Sequence, residues 1–62
     1  MNKARFARLS KLIAELSAIR DEEQDAFDNL PENFQYGSHG EKMQEGIDAM
    51  DEALSTLDVF NG

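Results

Sequence analysis

The chain has 62 residues, no cysteine and a formal net charge of −7. A chain of this length forms one domain and buries only roughly 60% of the surface that its unfolded form exposes, so a core alone gives marginal stability. Without cysteine, disulfides are excluded and no Cys/His cluster is available for a structural metal. Oligomerisation is the remaining supplement to the core.

The first predicted element is a helix over about 3–28. Residues 2–29 contain neither glycine nor proline, and most of them favour helix. An amphipathic stripe, with spacings of three and four up to Ile19, is formed by Phe6, Leu9, Ile13, Leu16, Ile19, Ala26 and Leu30. Leu12 and Phe27 are placed on its flanks. The polar run 20–25 is interpreted either as a solvated stretch, with the stem of Arg20 along the helix contact, or as an acidic surface that faces a partner.

A turn is predicted at 29–38, because Pro31 disfavours the α conformation of the residue before it. Pro31 can still open one further helical turn over residues 31–34. Gly37 and Gly40 are expected to let the backbone reverse. A hydrophobic plug over the open end of the hairpin is expected from Leu30, Phe34 and Tyr36.

The second long helix is predicted over about 39–59. Ser38 and Glu41 have the spacing of a capping box, in which each side chain binds the backbone NH of the other residue. Gly46 costs roughly 1 kcal/mol relative to alanine inside a helix, which predicts a close helix crossing there. Asn61 and Gly62 are expected to end the helix. A heptad-like seam is formed by Met43, Ile47, Met50, Leu54 and Leu57.

These elements predict an all-α fold, an antiparallel helical hairpin that forms one domain over residues 1–62. The expected pairs are Phe27 with Met43, Arg20 with Met50, Leu16 with Leu54, Ile13 with Leu57, and Phe6 or Leu9 with Phe60. A lone hairpin leaves one side of each apolar stripe exposed, so we expect two hairpins to form a four-helix bundle. The candidate oligomer interface comprises Leu9, Ile13, Leu16, Ile47, Met50, Leu54 and Leu57.

The sequence offers no constellation for catalysis. A two-helix chain has little volume for a pocket that would shift the pKa of one carboxyl away from another. His39 is a lone imidazole, and no Glu-x-x-His motif of a di-iron bundle is present. We therefore expect a protein that is not an enzyme and that holds no cofactor or metal. No apolar run approaches the ~20 residues that span a bilayer, and residues 1–19 do not have the pattern of a signal peptide, which predicts a cytoplasmic protein.

The net charge is concentrated in one half of the predicted hairpin. Residues 1–20 carry five cations and one carboxylate, a net +4, and residues 46–62 carry four carboxylates, a net −4. Residues 21–45, which we call the acidic tip, carry eight carboxylates and Lys42, a net −7. Asp25 and Asp28 also lie near the end of the first helix, where the helix dipole disfavours anions by a few tenths to about 1 kcal/mol each.

The charge distribution predicts an oligomeric protein that binds a basic protein partner through the acidic tip. The candidate partner-binding residues are Asp21, Glu22, Asp25, Asp28, Glu32, Phe34, Tyr36 and His39. One alternative is a nucleic-acid mimic that inhibits a basic DNA- or RNA-binding protein. Another is a nucleotide sponge that uses Arg5, Arg8 and Lys11 between subunits. Direct nucleic-acid binding by the tip is not expected, because carboxylates repel phosphates.

The turn also resembles a segment found in small uncharacterised helical proteins of bacteriophages and prophages. The resemblance covers roughly residues 12–58, with Asp21-Glu22-Glu23-Gln24 upstream and Ile47-Asp48-Ala49 downstream. Its central residues are Asp28, Asn29, Leu30, Pro31, Glu32, Phe34, Gln35, Ser38, Gly40, Glu41 and Met43. The resemblance implies a setting rather than a mechanism: a phage-encoded inhibitor of a host or defence factor, acting in the host cytoplasm.

Overall fold

The computed structural model describes the backbone of residues 1–61 and the side chains of residues 1–59. It contains helices α1 (Lys3–Asp28), α2 (Glu32–Gln35) and α3 (Ser38–Asn61), and no strand lies within this part of the chain. Helix α1 contacts α3, and α2 packs on α3. The molecule measures 48 × 15 × 14 Å. The all-α prediction is therefore confirmed, and both long helices agree with their predicted bounds within two residues.

Side-chain caps explain where α1 begins and ends. The Asn2 side chain accepts a hydrogen bond from the backbone NH of Arg5, at 2.9 Å, so it satisfies one of the unpaired NH groups of the first turn. At the other end, the Asn29 side chain donates to the carbonyl of Asp25, also at 2.9 Å. Pro31 then prevents the helix from continuing.

The contact between α1 and α3 is a seam with strict spacings of four and three. On α3 the predicted seam is confirmed, since Met43 and Ile47 are buried and the next three members are half-buried. On α1 the half-buried residues at these spacings are Leu9, Ile13, Leu16, Arg20, Glu23, Phe27 and Leu30. The placement of Phe6, Ile19 and Ala26 in the stripe was therefore wrong, because all three are exposed. Phe27, predicted on the flank, lies in the seam instead.

Arg20 connects the two long helices at the middle of the seam. Its Nε donates to Asp51 Oδ1 at 2.7 Å and its Nη2 donates to Oδ2 at 3.2 Å. These hydrogen bonds raise the pKa of the Arg20 guanidinium above its ordinary value. The half-buried position of Arg20 supports the first interpretation of the 20–25 run, in which the arginine stem lies along the seam.

The predicted hydrophobic plug is wrong in its aromatic members. Tyr36 is 79% exposed and Phe34 is 53% exposed, whereas Leu30 is half-buried. The inward position is taken instead by Gln35, whose Nε2 donates to the carbonyls of Phe27 and Leu30, each at 3.2 Å. A half-buried amide can satisfy the free carbonyls at the end of α1, which an aromatic ring cannot do.

The roles predicted for Gly37, Gly40 and Gly46 are not observed. No glycine in the described part of the chain has a positive φ, so Gly37 and Gly40 do not serve to reverse the backbone. Gly40 lies in the first turn of α3, where a Cβ atom would stand 2.3 Å from the Gln35 carbonyl oxygen. At Gly46 a Cβ would meet nothing within 4 Å, so the predicted close crossing there is wrong.

The predicted capping box is also absent from the described structure. The backbone NH of Glu41 donates to the carbonyl of Gly37 at 3.0 Å, and Ser38 is itself the first residue of α3. Helix α3 therefore begins one residue earlier than predicted, with Ser38 inside the helix and not at its cap. Two further predictions, the contact of Phe6 or Leu9 with Phe60 and the helix end at Gly62, lie outside the described residues.

We expect Gln35→Met to lower the free energy of unfolding by about 1 kcal/mol, because methionine keeps the side-chain length but cannot donate a hydrogen bond. Urea denaturation followed by circular dichroism measures this change. The matched control is Gln24→Met, since Gln24 donates only to the exposed Asp28 side chain, at 3.0 Å. Equal stability of the two variants would contradict a capping role for Gln35.

Candidate interaction surface at the hairpin tip

The acidic tip consists of the end of α1, all of α2 and the first two turns of α3. Seven of its eight carboxylates are exposed: Asp21, Glu22, Asp25, Asp28, Glu32, Glu41 and Glu45. The eighth belongs to Glu23, which is half-buried because it occupies a seam position. Most of the charge that the sequence assigns to this half therefore stands on the molecular surface.

This charge is poorly compensated within the chain. Asp21 Oδ1 lies 3.5 Å from Nη1 of Arg20, whose remaining nitrogens are directed to Asp51. Among the side chains of residues 1–59, no other tip carboxylate has a cation within ion-pairing distance. Asp28 accepts a hydrogen bond from Gln24, which relieves only part of the unfavourable dipole interaction at the end of α1. The tip therefore presents a field that a cationic surface would neutralise.

Two exposed aromatic residues lie among these carboxylates. Phe34 and Tyr36 are the sequence neighbours of Gln35, and the attachment of Gln35 to α1 leaves both rings on the outside. Exposed aromatic rings supply large contact areas at a protein interface, where acidic residues at the rim select the charge of the partner. This combination can bind a macromolecule without any chemical reaction.

All eight predicted partner-binding residues are exposed in the structure. Asp21, Glu22 and Asp25 lie on the last two turns of α1. The other five, at the pole of the hairpin, are Asp28, Glu32, Phe34, Tyr36 and His39. Residues 21 and 28 are seven positions apart on α1, which corresponds to roughly 10 Å along the helix axis. One protein partner can therefore contact both groups. What the sequence did not indicate is the inward Gln35 that turns the two aromatic rings outward.

The predicted oligomer-interface residues lie in the seam between α1 and α3. Ile47 is only 1% exposed within a single chain, so α1 and the rest of its own hairpin already cover it. Met50, Leu54 and Leu57 of α3 are half-buried, as are Leu9, Ile13 and Leu16 of α1. Their role in oligomer formation stays a prediction, and only their outer edges are available to a second chain.

Two grooves lie away from the tip. One, of about 250 Å³, is lined by Met1, Arg5, Arg8, Leu9 and Leu12. It brings together two of the three cations predicted for a nucleotide site, but Lys11 is not part of its lining. The second groove, of about 470 Å³, is lined by Ala49, Glu52, Ala53, Thr56 and Leu57. Both grooves are mainly apolar in their lining residues.

Both long helices are rich in charged residues. Within the part of the chain that the structure describes, neither helix combines the length and the apolar character that crossing a bilayer requires. The comparison with known proteins gave a single result: no family model, curated protein or solved structure matches this chain.

Proposed function

We propose that this chain is a protein-binding helical hairpin that acts as a dimer and captures a basic partner through its acidic tip. The observation that carries the proposal is the exposure of uncompensated carboxylates around Phe34 and Tyr36. Within one chain, Glu32 and Glu41 lie favourably in the first turns of α2 and α3, but Asp25 and Asp28 lie unfavourably near the end of α1. The two exposed rings also contribute little burial to the hairpin. A binding partner provides the missing cations and the apolar cover.

The two components of the surface have different physical roles in this proposal. The carboxylates raise the rate of encounter with a cationic surface, and this effect weakens as salt screens the field. The aromatic rings contribute affinity after contact, when they are removed from water. We further propose a phage-encoded inhibitor of a host or defence factor as the biological setting, which is an expectation from the turn segment alone.

The nucleic-acid mimic is a second candidate, favoured by the series of exposed carboxylates along the end of α1. It shares the acidic surface with the leading proposal but requires that the partner bind DNA or RNA through the same site. Competition distinguishes the two functions. A mimic is displaced from its partner by an oligonucleotide, whereas a partner bound elsewhere on its surface is not.

The leading proposal is tested by changing Asp25, Glu32 and Glu45 together to lysine. A matched control changes Asp48, Glu52 and Asp58 to lysine, so both variants carry the same net charge of −1 in place of −7. We expect the tip variant to lose capture of proteins from a bacterial lysate, while the control variant captures the same proteins as the unmodified chain. Mass spectrometry of the captured proteins identifies the partner.

The association rate of the identified partner is then measured at increasing salt concentration. We expect the rate for the unmodified chain to fall steeply, and the rate for the control variant to fall to a similar degree. Circular dichroism checks that all three chains have the same helix content. Equal loss of capture by both variants would mean that total charge, not the tip, is recognised and would overturn the proposal.

A further inference from the structure

The hairpin has two sides that differ sharply in polarity. In an antiparallel helix pair, positions that immediately precede a seam residue lie on one side of both helices, and positions that immediately follow one lie on the opposite side. The following positions on α1 are Ser10, Ala14, Ser17, Asp21, Gln24 and Asp28. Those on α3 are Gln44, Asp48, Asp51, Ser55 and Asp58. This polar side carries the Arg20–Asp51 hydrogen bonds.

The opposite side, which we call the apolar side, is formed by the positions that precede the seam. On α1 these are Arg8, Leu12, Glu15, Ile19, Glu22 and Ala26. On α3 they are Lys42, Gly46, Ala49, Ala53 and Thr56. Leu12 is 65% exposed and Ile19 is 48% exposed. Burial of these large aliphatic side chains against another surface would stabilise the folded protein. Both grooves described above include residues of this side.

The charges of α1 indicate what covers the apolar side. Residues 3–11 contain four cations, and residues 21–28 contain five carboxylates. The two groups are placed almost symmetrically about the middle of α1, between Glu15 and Leu16. A helix with this charge sequence is complementary to a second copy of itself that runs in the opposite direction. At that register Leu12 meets Ile19 of the second copy, and Arg8 lies level with Glu22 and Glu23 of the second copy, of which Glu22 is on the apolar side.

We propose that the apolar side is the interface of a homodimer in which α1 packs antiparallel on α1 of a second copy. The Arg8–Glu22 contacts occur twice, once at each edge, and fix the direction of the pairing. The two acidic tips then lie at opposite ends of the dimer, which avoids bringing two charges of −7 together. This inference deepens the dimer of the proposed function and rests on it, but it does not depend on a partner for the tip.

Charge reversal at the proposed contact provides the test. We expect Arg8→Glu alone and Glu22→Arg alone each to raise the dimer dissociation constant by about tenfold, because two contacts become repulsive in each homodimer. In an equimolar mixture of the two variants, each contact pairs opposite charges again. Sedimentation equilibrium should therefore show that the mixture recovers the dimer that each variant has lost.

The matched controls are Lys11→Glu and Asp25→Arg, which make the same charge changes on the outward face of α1, away from the seam and the apolar side. We expect much smaller changes from these variants and no recovery on mixing. Glu15 lies close to the symmetry axis, next to its own copy, so Glu15→Gln should strengthen association. Circular dichroism confirms folding in each case.

Three outcomes would overturn the inference: a monomeric unmodified chain, dimerisation that charge reversal leaves unchanged, or a mixture that associates no better than its components. The last result would mean that Arg8 and Glu22 do not meet across the interface, whereas a parallel dimer, in which Arg8 meets Arg8, would show single variants that associate no worse than the unmodified chain. These outcomes are separate from failure of the proposed function. Arg8→Glu changes the molecular mass without altering any predicted partner-binding residue, whereas the lysine variant of the tip at positions 25, 32 and 45 changes partner capture.

Discussion

Gly40→Ala is expected to destabilise the hairpin by about 3 kcal/mol, at the upper end of the usual cost of overpacking. The added Cβ would lie 2.3 Å from the Gln35 carbonyl oxygen and 2.6 Å from the Phe34 carbonyl oxygen. These are backbone atoms of α2, so the strain cannot be relieved by a side-chain rotation. Relief requires α2 to move away from α3, which also separates the Gln35 amide from the end of α1. Urea denaturation at one fixed protein concentration measures the loss.

Gly46→Ala is the matched control for this prediction. It adds the same methyl group to the same helix, but at a position where the Cβ has open space. Alanine restricts the unfolded chain and favours helix, so this variant should be more stable than the unmodified chain by roughly 0.5–1 kcal/mol. If both variants gained stability, α2 would not pack against α3 as the structure has it.

The contrast between these two glycines shows what the sequence can and cannot reveal. Both interrupt a helix-favouring stretch, and the sequence predicted that both had a structural purpose. Only the position of another segment decides whether a glycine is required, and that segment, α2, packs on Gly40 and not on Gly46. Gln35 belongs to the same class, because nothing in its local sequence distinguishes it from Gln24, which donates only to the exposed Asp28 side chain.

The α1 side of the seam was predictable, but apolarity alone was a misleading guide. The seam on α3 is apolar at every predicted position, so the pattern of four and three was visible there. On α1 the same pattern, continued from Leu9, Ile13 and Leu16, leads to Arg20 and Glu23. The prediction chose Ile19 and Ala26 because they are apolar. Each precedes a seam residue, so the predicted stripe was displaced toward the apolar side. Geometry requires a seam residue every 3.5 residues on average, whatever its polarity.

The candidate surface was predicted from charge with more success than from packing. Seven of the eight tip carboxylates are exposed in the structure, since burial of an unpaired charge is costly. The aromatic residues of the turn were expected to cover the hairpin, yet they are exposed because an amide is needed to satisfy the carbonyls at the end of α1. The composition of the turn does not show whether an amide or an aromatic ring takes the inward position.

Ile47→Ala should cost about 2–4 kcal/mol, the range for removing a fully buried aliphatic side chain. Ile47 is the largest fully buried side chain in the described part of the molecule, at 1% exposure. Globular chains have about 0.05–0.15 kcal/mol of stability per residue, which corresponds to roughly 3–9 kcal/mol for a chain of this length. The substitution therefore removes a large fraction of the total. We expect the helix signal to be partly lost at room temperature and its thermal midpoint to fall.

Two further variants separate cavity formation from a general effect of substitution in α3. Ile47→Val removes one methylene group and should cost about 0.5–1.5 kcal/mol. Val59→Ala alters an exposed side chain on the same helix and should change stability by less than about 0.5 kcal/mol. Measurement at several protein concentrations then links the core to the dimer: a second copy that binds the folded hairpin will restore part of the helix signal as concentration rises. A helix signal of Ile47→Ala that equals that of Val59→Ala at every concentration would show that α1 and α3 are not held together through this residue.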